Sequence, residues 1–206
     1  MKLLNSAFTL LSLLSLAVAG TIPLEKREEV TVDASKIDYT DNLNALKSAL
    51  KAQGKTPENG KRYGLYEKWA IEGKPVCYEH WTHWVLVVGE YQDNQFKGSS
   101  YSMFKDGDAT LLKSLAGATT QAVAQEHWWA NHYWKEVKKN EGEWVANTAT
   151  HQYDLAGEVV AGAMGSFESV TKLAENYVKE KTHTKYNVAT NNCHDFAEAI
   201  YEKIKK

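Results

Sequence analysis

A cysteine at the start of a predicted helix and a histidine just ahead of the apolar run of a predicted strand are the residues best placed for chemistry. Cys193 follows Asn192, a good helix N-cap, and begins a helical pattern over residues 193–204. His83 opens an apolar run over residues 84–88. Unpaired N–H groups at a helix N-terminus favour a thiolate and can hold an oxyanion. A thiol and a histidine in these positions are the minimum for thiol catalysis.

A structural role for the same cysteine competes with this hypothesis. Cys193, Ala197, Ile200 and Ile204 recur at the spacing of one helix face, so the cysteine also fits a core position. The chain has two cysteines, and in a secreted protein two cysteines most often pair. A disulfide between Cys77 and Cys193 is therefore the main alternative.

Strand geometry makes the two interpretations exclusive. The pattern predicts a strand from Cys77 through His83, and six residues of regular strand span roughly 20 Å. A disulfide requires Cα atoms within about 7 Å, so a thiol beside His83 cannot also reach Cys77 unless the chain bends between Pro75 and Trp81. On this basis we predict that Cys193 is free and that Cys77 is a separate, buried or unpaired thiol.

The N-terminus carries processing signals. Residues 1–20 have a charged start, an apolar stretch and a small-residue cleavage signature, which predict a secretory signal peptide. Residues 21–27 end in Lys26-Arg27, which resembles a kexin-type site of fungal secreted proteins. We expect a secreted, extracellular chain of one domain over residues 28–206. No later segment is long and apolar enough to span a membrane. The formal net charge of −2 and the lack of a basic stripe argue against a nucleic-acid-binding surface.

The periodicity of apolar residues predicts an α+β fold, with an antiparallel sheet and flanking helices. Residues 77–91 give the clearest strand, which is apolar on both faces and therefore central in the sheet. Besides Asn192, two further helix caps are expected, at Asp41 and at Ser166. The predicted helices cover residues 42–53, 109–140 with a break near Gly117, 166–181 and 193–204; the predicted strands cover 65–71, 77–91, 99–104, 144–153 and 183–188.

Aromatic residues are dense in the segment 126–134, within the predicted long helix. Core packing beside the sheet is the favoured interpretation, and an exposed binding surface is the alternative. The aromatic residues concerned are Trp128, Trp129, Tyr133 and Trp134.

The remaining histidines do not predict a metal site. His80 and His83 are three apart in a predicted strand and so point to opposite faces. His127 and His132 have no acidic or thiol partners at ligand spacing. His194 is expected to face solvent or substrate, because an adjacent helical position points about 100 degrees away from Cys193. No metal or cofactor is expected.

The order of the two motifs carries a family resemblance. His83-Trp84 precedes a hydrophobic strand, and the later motif Tyr-x-Val-x-x-Asn-Asn-Cys-x-x-Phe-Ala covers residues 186–197. This arrangement resembles the circularly permuted papain-like group, which includes lecithin retinol acyltransferase-like proteins and permuted deubiquitinase-type peptidases. The resemblance covers about a quarter of the chain. It implies that Cys193 is the nucleophile, that His83 is its base, and that the histidine strand precedes the cysteine helix.

The resemblance also implies a third polar residue that orients the histidine. If the hairpin turns near residues 94–97, Asp106 and Asp108 lie opposite His83. The retinol acyltransferase-like proteins often use a histidine there, and this chain has none between His83 and His127. This departure weakens the case for lipid acyl transfer.

Two functions follow from the sequence. The first is a secreted cysteine hydrolase or acyl-transfer enzyme that acts on a peptide, isopeptide, ester or thioester. The alternative is a non-enzymatic secreted effector or toxin-like protein of the same fold, which has a Cys77–Cys193 disulfide and binds a host or cell-surface protein.

Overall fold

The computed structural model describes residues 38–71, 77–105, 116–128, 130 and 149–206. The predicted signal peptide, the pro-segment and the Lys26-Arg27 site lie outside these residues. The helices are α1 (Thr40–Lys51), α2 (Phe167–Lys179) and α3 (Cys193–Ile204). The strands are β1 (Lys61–Ile71), β2 (His83–Gln92), β3 (Gln95–Lys105), β4 (Ala116–Trp128), β5 (Ala149–Glu158) and β6 (Lys185–Asn187).

The strands form one six-stranded antiparallel sheet in the order β5-β1-β2-β3-β4-β6. Strands β1 to β4 follow one another as a meander, and β5 and β6 pair with its two outer strands. The predicted α+β class with an antiparallel sheet is therefore confirmed.

The β2–β3 hairpin turns at two residues, Asp93 and Asn94, and Gln92 pairs with Gln95. Both turn residues have positive φ, of 50° and 60°. Asp and Asn tolerate this conformation, and two left-handed residues give a turn whose twist matches that of the strands. The predicted hairpin is confirmed, with its turn slightly earlier than residues 94–97.

Both faces of β2 are buried, as its sequence predicts. Val85 and Val87 belong to the cluster under α1, whereas Leu86 and Val88 belong to the cluster under α2 and α3. Helices thus cover the sheet on both sides. The α1 cluster also contains Leu46, Leu50, Leu65 and Phe96, and the other contains Tyr101, Val170, Phe196, Ile200 and Ile204.

Strand β4 occupies part of the region predicted to be helical, so that prediction is wrong for residues 116–128. Alanine and glutamine favour helices, but the preference is less than about 1 kcal/mol per residue and tertiary pairing overrides it. Ala118 and Thr120 are buried on alternate positions, and β4 is hydrogen-bonded to both β3 and β6. The rest of that predicted helix, apart from Ala130, lies outside the described residues.

Helix α1 is held to the sheet by a buried asparagine. The Asn42 amide donates to the carbonyls of Phe96 at 3.2 Å and Trp128 at 2.7 Å, and its oxygen accepts from the Ala130 amide at 2.6 Å. The helix itself was predicted, but a cap at Asp41 was wrong, because α1 begins earlier and its N-cap position is Tyr39. Asn42 therefore ties α1 to β3 and to the end of β4.

Helices α2 and α3 begin as the sequence predicts. The Ser166 hydroxyl accepts from the Ser169 amide at 3.3 Å. The start of α3 is a capping box formed by Asn192 and Asp195. Both caps depend on residues three apart in the chain, so local sequence is sufficient to specify them.

Candidate functional site

Cys193 is bonded to Cys77, with Cα atoms 6.3 Å apart. The two residues are buried, with exposures of 2% and 3%. No free cysteine remains. The prediction that Cys193 is free and that Cys77 is a separate thiol is therefore wrong.

A tight turn brings Cys77 close enough for this bond. Strand β2 begins at His83 rather than at Cys77. Ahead of it, Tyr78 pairs with Trp81, the Trp81 amide donates to the Tyr78 carbonyl at 2.9 Å, and Glu79 has a φ of 52°. The chain thus reverses within the one interval where a bend would reconcile the disulfide with the strand.

His83 lies on the other face of the sheet from Cys193. Its ring centroid is 5.0 Å from that of Trp69 and 4.8 Å from that of Phe104, and Trp69 belongs to the cluster under α1. Trp84, the next residue, points the opposite way and packs against Cys193. The structure does not bring the two predicted catalytic residues together.

Asp106 and Asp108, the candidates for the orienting residue, lie outside the described residues. The β2–β3 register, set by the turn at Asp93-Asn94, runs to the pair Leu86 and Tyr101, and its continuation leads to Phe104 opposite His83, whose rings are in contact. The assumed turn position had placed residues 106–108 there. A shift of the turn by one or two residues therefore changes the partner of the histidine.

Asn192 has the predicted capping role, and this role occupies the first amides of α3. Its Oδ1 accepts from the amides of His194 at 2.8 Å and Asp195 at 3.1 Å. The Asp195 carboxylate accepts from the Asn192 amide at 3.0 Å. Two of the amides expected to hold an oxyanion, those of His194 and Asp195, therefore donate to the cap.

An aromatic cluster surrounds the disulfide. Trp81 and Trp84 are buried against it. The Lys68 ammonium lies 5.1 Å and 4.9 Å from the centroids of these two rings, and it also forms an ion pair with Asp154. Indole faces attract cations, so Lys68 is held on two sides.

A histidine and a tyrosine stack beside this cluster. The rings of Tyr78 and His194 are 3.8 Å apart and almost parallel, and the edge of Trp84 meets His194 at 4.4 Å. His194 was expected to face solvent or substrate; it is 9% exposed, so the first of these two positions is wrong. Tyr78 is 39% exposed. Sequence reasoning missed this pair because its members are far apart in the chain and meet through the disulfide.

A buried carboxylate on the α1 face was also missed. Glu67 accepts from the Trp128 indole N–H at 2.9 Å, and its other oxygen lies 3.7 Å from His151 Nδ1. Burial, followed by the Glu67 charge, raises the pKa of Tyr153. The carboxylate therefore links β1, β4 and β5.

The core packing favoured from sequence for the aromatic segment is confirmed for Trp128. Trp129, Tyr133 and Trp134 lie outside the described residues.

Within the described ranges, no group of three or more His, Cys, Asp or Glu side chains is arranged to hold a metal ion. Among the same residues, no helix has the length and apolar character needed to cross a membrane.

Comparisons with protein-family models, with curated proteins and with solved structures found no match to this chain. The papain-like resemblance therefore stays a prediction based on the two motifs. The structure itself establishes an α+β fold with a six-stranded antiparallel sheet.

Proposed function

We propose that this chain is a secreted, non-enzymatic binding protein of effector or toxin-like type. One observation carries the proposal: the Cys193 sulfur is bonded to Cys77 inside the protein. The nucleophile of a thiol enzyme is the thiolate, and a sulfur in a disulfide has none. Because His83 faces the opposite side of the sheet, the expected base is missing from the cysteine side as well.

Secretion is part of the same proposal. Disulfides persist in oxidising compartments and are rare in the cytosol. The disulfide therefore agrees with the signal-peptide pattern over residues 1–20 and with the Lys26-Arg27 processing pattern. A host or cell-surface protein is the proposed class of partner.

A cysteine hydrolase or acyl-transfer enzyme is the second candidate. The position of Cys193 at the first residue of α3 favours it, because helix N-termini stabilise thiolates. This candidate requires reduction of the disulfide and a base other than His83.

Quantification of free thiols, combined with an activity assay, separates the two candidates. We expect the secreted protein to show no thiol reactive to Ellman's reagent in denaturant, and an intact mass that lacks the two thiol hydrogens. Fluorogenic peptide, isopeptide, ester and thioester substrates should then show no turnover, with or without a phosphine reductant. Cys193→Ala serves as the matched control for any background rate.

Turnover that appears on reduction and is lost in Cys193→Ala would establish the hydrolase and overturn the binding proposal. A free thiol in the secreted protein would remove the observation on which that proposal depends.

A further inference from the structure

The sulfurs of the disulfide lie beneath aromatic rings. Trp81 and Trp84 form one cluster with Cys77 and Cys193, and all four residues are buried. A disulfide is reduced when a thiolate attacks one of its sulfurs, so the rate depends on access to that sulfur. Burial of both cysteines therefore means that the fold must open before a dissolved thiolate can reach the bond.

The short hairpin ahead of β2 is a surface segment that carries one of the two sulfurs. It runs from Cys77 to Trp81, and its middle residues, 78–80, are exposed. The Cys77 amide closes it by donating to the Trp81 carbonyl at 2.7 Å. Small exposed segments open at a lower cost in free energy than the strands of a sheet. Displacement of this hairpin would therefore uncover the bond without unfolding the sheet.

Three rings from three separate elements hold the hairpin against α3. Tyr78 of the hairpin lies flat on His194 of α3, with ring centroids 3.8 Å apart and an interplanar angle of 9°. Both rings also meet Trp84 of β2, at 5.9 Å for Tyr78 and 4.4 Å for His194. Each ring thus contacts the other two, and we call Tyr78, Trp84 and His194 the ring latch. Because Trp84 packs against the cysteines, the ring latch lies beside the bond.

Tyr78 is the exposed member of the ring latch. Trp84 and His194 are buried and belong to β2 and α3, whereas Tyr78 is 39% exposed and lies in a turn. Two of the three ring contacts involve Tyr78. Motion of the hairpin away from α3 therefore has to break the contacts of this side chain.

We propose that the ring latch protects the disulfide from reduction until the Tyr78 ring leaves His194. Once the ring latch is open, one thiolate of a dithiol reductant attacks a sulfur, the S–S bond breaks, and the other cysteine leaves as a thiolate. The second thiol of the reductant then resolves the mixed disulfide, which gives two protein thiols and a cyclic disulfide of the reductant. The ring latch requires the Cys77–Cys193 bond but no binding partner, so this role goes beyond the proposed function.

Dithiothreitol in excess is the probe, applied to the intact oxidised chain without denaturant. Samples are quenched with excess N-ethylmaleimide in denaturant, and the modified thiols are counted by intact mass. The wild type should be reduced more than roughly tenfold more slowly than the urea-unfolded chain, since access depends on opening. Tyr78→Ala should be reduced about tenfold faster than the wild type, because loss of stacked-ring contacts shifts an opening equilibrium by about that factor.

Two variants and a urea series separate local opening from global unfolding. Tyr78→Phe keeps the ring and should be reduced at the wild-type rate. Tyr91→Ala removes a partly buried tyrosine at the opposite end of β2, so it lowers overall stability without touching the hairpin and should leave the rate unchanged. Urea below the unfolding transition should change the wild-type rate only slightly, since a local opening exposes little surface.

The ring latch is ruled out if Tyr78→Ala and Tyr91→Ala are reduced equally fast, or if the wild-type rate follows the urea dependence of global unfolding. It is also ruled out if Tyr78→Phe behaves like Tyr78→Ala, or if the wild type is reduced as fast as the urea-unfolded chain. The urea series needs no variant, so it decides the matter even if Tyr78→Ala does not fold. None of these results changes the thiol count of the untreated protein or the turnover assay, so failure of the ring latch is distinguishable from failure of the proposed function.

Discussion

Replacement of either disulfide cysteine by alanine should cost a large part of the folding free energy. The bond joins residues 116 apart in sequence. In the chain-entropy model, closure of a loop of that length destabilises the unfolded state by about 5 kcal/mol. Measured losses for native disulfides fall at about 2–5 kcal/mol, and domains of this size have a total stability of roughly 5–15 kcal/mol. We therefore expect a loss of about 4 kcal/mol in each single variant.

The pattern across variants is more decisive than the size of the loss. Cys77→Ala, Cys193→Ala and the double variant all remove the same covalent link. Their free energies of unfolding should therefore agree within about 0.5 kcal/mol, rather than add as independent sites do. Wild-type protein in reductant is the matched control and should fall to the same value.

Urea denaturation followed by tryptophan fluorescence is the assay, because Trp81 and Trp84 pack against the bond. The slope of the transition should also increase in all three variants, since an unlinked unfolded chain exposes more surface. If each single variant loses less than about 1 kcal/mol, or if the double variant loses the sum of the two, the sulfurs do not stabilise the fold as a disulfide and the reasoning fails.

Two further predictions concern the folded chain. Asn42→Ala should cost roughly 3 kcal/mol in urea denaturation, because it leaves two carbonyls and one amide without their buried partner, whereas Asn44→Ala on the exposed side of α1 should change stability by less than about 0.5 kcal/mol. Stability should fall between about pH 10 and pH 12, because burial raises the pKa of Tyr177 and Tyr186 to about 12 while the unfolded phenols ionise near 10. The native state thus holds those protons longer, and a Tyr177→Phe/Tyr186→Phe variant should show a smaller fall; an equal fall would exclude these phenols as the cause.

The disulfide has a consequence for the surface around Tyr78. Tyr78 and His194 belong to segments separated by more than a hundred residues, and their rings meet beside the Cys77–Cys193 bond. Reduction would leave the stack to hold the hairpin against α3 by itself.

Local features were predictable because they depend on neighbouring residues. The α3 capping box requires Asn192 and Asp195 three positions apart, and the α2 cap requires Ser166 ahead of an apolar helical repeat. The apolar residues on both faces of residues 77–91 predicted a central strand, and β2 lies within the sheet. In each case the physical cause lies within a few residues, so the local amino-acid sequence is sufficient to specify the feature.

Strand pairing, and not residue periodicity, determined the structure of residues 116–128. Ala118 and Thr120 lie in an alanine-rich stretch that favours a helix by weak intrinsic preference. Their burial between β3 and β6 makes the segment a strand. The partners that supply the hydrogen bonds come from distant positions in the chain, and no window of local sequence reveals them.

The tertiary structure likewise determined whether Cys193 is a free thiol or part of a disulfide. From the sequence alone, Cys193 was predicted to begin a helix and His83 to lie in a central strand over residues 77–91, and either thiol catalysis or a disulfide would use that cysteine. The choice between thiol catalysis and a disulfide depended on which face of the sheet α3 covers and on where the chain turns before β2. The turn at Tyr78–Trp81 contains neither glycine nor asparagine, and it closes with Glu79 in a left-handed conformation. Only the packed fold supplies the contacts that hold such a turn, and with it the bond from Cys77 to Cys193.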